Sequence, residues 1–220
     1  QRPDLPPRPT EIDPALRARF GDRPAPRVLE SLAGDLWRES LAVSLLDQHP
    51  DSSALFLVLP GLREVSRETF GGFQAAQFEG SQAPAAREAA ERLEAYYAWL
   101  DGLLAELWQR ESGPKILAVV SAYGAEGHRG RLSGDAAELE GRFGEAPDGT
   151  LLLYGEGIQA GALVTGARLV DVAPTLLYAL GFPAARDLDG KILTEAFDKR
   201  FLARHPVTIF PSFEGLARER

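Results

Sequence analysis

The sequence predicts an α/β fold with a largely parallel sheet and helices on its faces. Two observations predict it. SALFLVLPG (53–61), KILAVVSAYG (115–124) and GTLLLYGEGI (149–158) are short, continuous apolar runs closed by glycine or proline, as strands buried on both faces require. Around them, longer segments repeat apolar residues at helical spacing. With 220 residues, 45% of them hydrophobic and 25% charged, the chain can bury a sizeable core.

The elements follow in order. QRPDLPPRPTEIDP is rich in proline and charge, so residues 1–25 read as an extended arm. Residues 26–48 space their apolar side chains as a helix does, and 53–61 suits a buried strand. The clearest helix begins at Pro84 and ends before Gly113-Pro114. Ala89, Leu93, Tyr96, Tyr97, Leu100, Leu104, Leu107 and Trp108 form its predicted core-facing stripe. The runs 115–124 and 149–158 are the second and third strands, and VDVAPTLLYALG (170–181) is a helix closed by Gly181 and Pro183. The α/β domain thus spans 26–200, with 201–220 as a C-terminal tail. In that tail Val207, Ile209, Phe210 and Phe213 make an apolar strip that either packs on a partner or folds back on its own core.

Composition excludes several classes. A net charge of −8 argues against a nucleic-acid or anionic-membrane partner. No cysteine means no disulfide, thiolate metal site or cysteine nucleophile. No run of about 20 apolar residues is present to span a bilayer. Methionine is absent even at position 1, so the expectation is that Gln1 arises by processing or marks the start of a fragment.

Local chemistry is sparse. His49, His128 and His205 are far apart and form no HxH or HExxH pair. There is no GxSxG elbow and no GxxxxGK[ST] loop. Asp135, Glu138, Glu140 and Glu145 are an oxygen-ligand cluster for Ca²⁺ or Mg²⁺, or a solvated loop of an acidic protein.

The succession VVSAYG, EAPDGTLLLYGEGI and VDVAPTLLYALGFPAARDLDGKIL resembles the C-terminal half of the alkaline phosphatase superfamily. The similarity is to its bacterial type I phosphodiesterase/nucleotide pyrophosphatase group. LFLVLPGLREVSRETF resembles an upstream segment of the same group, so the resemblance runs from about residue 28 to 200. It implies a partial alkaline-phosphatase-like sheet, with the family's metal-ligand positions falling on Arg63, Arg67, Ala122, Tyr123 and Glu145. Guanidinium groups repel a dication and do not deprotonate at workable pH. The half that carries the nucleophile and first metal-binding Asp has no room before residue 28.

The resemblance therefore implies a catalytically inactive domain without metal or cofactor, kept as a structural or docking subunit. A protein partner or second copy would cover the open sheet edge. Two alternatives stand beside it. One is a metal-dependent phosphodiesterase or phosphatase completed by another chain, with Glu145, Asp148 and His128 as replacement ligands. The other is a metal-free anion-binding module built on Arg63 and Arg67. Because many members of the superfamily are exported, the resemblance also implies an extracytoplasmic location.

Overall fold

In the computed structural model, which describes residues 26–110, 112–127, 139–142 and 148–214, the chain divides into two units. One comprises Gln1–Arg110 with Tyr123–Pro147, the other Glu111–Ala122 with Asp148–Arg220. The class is mixed α/β.

Three helices build the first unit: α1 (Pro26–Gln48), α2 (Gly61–Gln77) and α3 (Pro84–Arg110). Pro84 sits at the first helical position, where its missing N–H costs nothing. Gly113, at φ 110°, and Pro114 follow the end of α3. At that end Arg110 donates to Asp47 at 2.8 Å and to Glu106, tying the last turn of α3 to that of α1. Val28, Leu32, Val65, Leu93, Tyr96, Trp99 and Leu103 form the core between the three helices. The α3 stripe is rotated from the expected one: Trp99 and Leu103 are buried, whereas Tyr97 is half exposed. At 100° per residue, positions 89, 93, 96, 100, 103 and 107 stay in line and position 97 swings out.

Helix α2 runs unbroken for 17 residues, although Gly71 and Gly72 fall within it. A mid-helix glycine costs about 1 kcal/mol relative to alanine. Here close approach compensates. A Cβ on Gly72 would lie 2.6 Å from the Cβ of Ala89, so the missing side chain lets α2 and α3 pack backbone to backbone.

The run 53–61 is not a strand. Leu57 and Leu59 pack on the helical core, while Phe56 and Val58 are each 74% exposed, and the run ends in Pro60 and Gly61, already in helical conformation. Apolar content encoded the wish to be buried. A strand also needs a neighbour to accept its amides, and among the described residues none lies beside it.

The second unit holds β1 (Ile116–Tyr123, its last residue counted with the first unit) and β2 (Asp148–Gly155). Gly149 lies against Ser121 and Ala122, and Gly155 against Lys115 and Ile116. Glu156 donates to the Lys115 carbonyl at 2.9 Å. As one strand advances the other recedes, so the pair is antiparallel, and the expected largely parallel sheet is not what these strands form. A continuous apolar run reports burial, not strand direction, and this was the source of the misreading. Burial alternates along β2, whereas every residue of β1 from Val119 to Tyr123 is exposed. Leu151 and Leu153 face the core, whereas Val119, Leu152 and Tyr154 are exposed.

A 3₁₀ turn (Leu169–Asp171) leads into α4 (Val172–Ala179), followed by β3 (Ala184–Ala185), a 3₁₀ turn (Thr194–Ala196), α5 (Lys199–Arg204) and β4 (Ile209–Phe210). Strands β3 and β4 pair in parallel for two residues. The core centres on Tyr178, Leu193, Ala196, Phe197 and Phe201. Phe197 stacks on Phe201 at 5.2 Å, and Tyr178 meets both rings edge-on at 5.0 and 5.8 Å. Such offset and T-shaped contacts suit the charge distribution of aromatic rings.

Candidate functional site

Helix α2 places Arg63 and Arg67 one turn apart, hence on one face. Arg63 is exposed; the buried Arg67 Nε lies 3.8 Å from a Glu64 carboxylate oxygen and, among the described residues, has no hydrogen-bond partner. The Arg67 carbonyl accepts from the Gly141 amide at 2.8 Å. Gly127 donates to Gln74 Oε1 at 3.1 Å, and Glu126 and Arg142 exchange backbone bonds at 3.0 and 2.7 Å. Residues 126–127 and 139–142 thereby rest on α2. Arg92, on α3, lies 3.9 Å from Glu68, so cations and carboxylates alternate here.

Ala122 and Tyr123 end β1, both exposed, and Asp148 begins β2, also exposed. Glu145, His128, Asp135 and Glu138 lie outside the described residues; Glu140 is exposed. His49 is exposed, and the His205 ring packs 4.5 Å from that of Phe201. Among the described residues no three histidine or carboxylate side chains are gathered for a metal. The side chains of Arg63, Arg67 and Ala122 do not suit the metal-ligand positions of the family that the chain resembles, since two cations and a methyl group offer no lone pair to a dication.

Two buried carboxylates were missed by the sequence reading. Asp35, on α1 and fully buried, accepts from the Gly61 amide at 2.8 Å, the Tyr96 hydroxyl at 2.6 Å and Arg38 at 3.3 Å. It pins the start of α2 and the middle of α3 to α1. Burial raises its pKa above the usual carboxylate value, against the opposing pull of those hydrogen bonds. Burial, then the adjacent carboxylate, pushes the Tyr96 hydroxyl far above its ordinary range. The signal was available: Asp35 falls in the helical series Val28, Leu32, Asp35, Glu39, Ala42, a charge in an otherwise core-facing stripe.

Asp171, also fully buried, accepts from the amides of Lys191 and Arg168, each at 2.8 Å, with the Arg168 guanidinium 3.6 Å away. Those two amide bonds are the main reason its pKa lies below the ordinary value. Thr175 donates to the Asp171 carbonyl at 2.6 Å and accepts from the Leu193 amide at 3.0 Å. Gly190 is pressed against the Val170 carbonyl, leaving no room for a Cβ. The stretch 170–193, one of the segments that carry the resemblance, is thus a structural stitch between α4 and the segment that follows it.

The tail lies along its own unit. Ala184 donates to the Thr208 carbonyl at 3.0 Å and Arg186 to that of Phe210 at 2.9 Å, and the Phe210 and Phe213 rings meet edge-on at 4.5 Å. Phe210 and Phe213 are half-buried, whereas Val207 and Ile209 stay exposed. No helix is long and apolar enough to cross a membrane among the described residues. Comparison with protein-family models, curated proteins and solved structures finds no match.

Proposed function

We propose that this chain is a non-catalytic domain related to the alkaline phosphatase superfamily, serving as a structural or docking subunit of a larger assembly. In this reading β1, β2 and α4 stand in the order the resemblance requires and are the remains of an alkaline-phosphatase-like sheet. The observation that carries the docking role is the apolar surface of the β1–β2 pair, where Val119, Leu152 and Tyr154 are exposed. Two strands with one uncovered face are marginal by themselves, and exposed apolar patches of several hundred Å² mark interaction sites. The donor set at the inherited positions supports the non-catalytic half of the reading.

Native mass spectrometry of the protein taken from its own source, without added metal, tests this. An assembly heavier than the chain and free of transition metal is the expected result. One or two retained metal ions would move the phosphodiesterase or phosphatase reading to the front. A lone monomer would overturn the docking role.

The second reading, a metal-free anion-binding module, is favoured by one feature: the buried Arg67 Nε, one turn from Arg63, has no hydrogen-bond partner among the described residues, with Glu64 3.8 Å away. Loss of inorganic phosphate binding in an Arg63→Ala, Arg67→Ala double variant would support it, and unchanged calorimetric titration would dismiss it.

A further inference from the structure

We draw no further inference here: the strongest candidate, the exposed apolar surface patch of the β1–β2 pair around Val119, Leu152 and Tyr154, belongs to the docking surface already described, and nothing in the structure shows what covers it.

Discussion

The Tyr96 hydroxyl donates to Asp35 at 2.6 Å across 61 residues of sequence, and neither side chain is exposed to water. The pair joins α1 to α3, and the Gly61 amide on the same carboxylate adds α2. Asp35→Ala would leave a hydroxyl and an amide buried without acceptors, at about 1–3 kcal/mol for each. The first unit is expected to lose about 3–5 kcal/mol in that variant and about 1–2 kcal/mol in Tyr96→Phe. All three tryptophans, Trp37, Trp99 and Trp108, lie in this unit, so urea unfolding followed by their fluorescence reads it alone.

The Asp35 carboxyl has a folded pKa above its ordinary value of 3.8. A raised carboxyl favours the folded state when protonated, so its contribution is full below 3.8 and lost as pH rises through the folded value. In the window between the two, the wild-type protein should gain stability relative to Asp35→Asn as pH falls. A constant difference between the two proteins across that window would mean that Asp35 does not titrate as its burial requires.

Asp171 should behave in the opposite sense. Its folded pKa is lowered by the Lys191 and Arg168 amides, so its stabilisation is present above 3.8 and lost as pH falls through the folded value. Asp171→Ala is expected to cost the second unit about 2–4 kcal/mol at neutral pH by orphaning two amides. The deficit should narrow in acid. Hydrogen exchange at Arg168 and Lys191 is the direct reading, with both amides losing protection together.

Gly72→Ala sets two effects against each other. Helix propensity favours alanine by about 1 kcal/mol, whereas overpacking costs about 1–3 kcal/mol. The Cβ of Ala89 would stand 2.6 Å away, so overpacking should win, and the variant should unfold at lower urea than wild type. Adding Ala89→Gly should recover part of the loss.

Local pattern made much of the fold legible. The bounds of α1 and α3 follow from helical spacing with Pro84 and Gly113-Pro114 as punctuation, and β1, β2 and α4 follow from apolar runs closed by glycine. Helix α2 was largely hidden, because Gly71 and Gly72 lower its propensity and the compensating approach of Ala89 lies in another helix. The strand assigned to 53–61 failed because ladder pairing depends on a neighbour that no local window contains. For the candidate site, the residue types at 63, 67, 122 and 123 were readable at once, and their chemistry argued against a metal from the start. That 126–127 and 139–142 rest on α2, and that Asp35 and Asp171 are buried polar centres, required partners 20 to 74 residues apart to be brought together.

The sequence by itself determined the helices α1 and α3, the runs that become β1 and β2, the absence of cysteine chemistry and the cationic side chains at 63 and 67. These are properties of side chains and short-range periodicity. Only the tertiary structure decided strand direction, which apolar residues stay outside and which carboxylates are desolvated. Each of these depends on what a residue meets across space, and solvation and pairing energies are set by that neighbour.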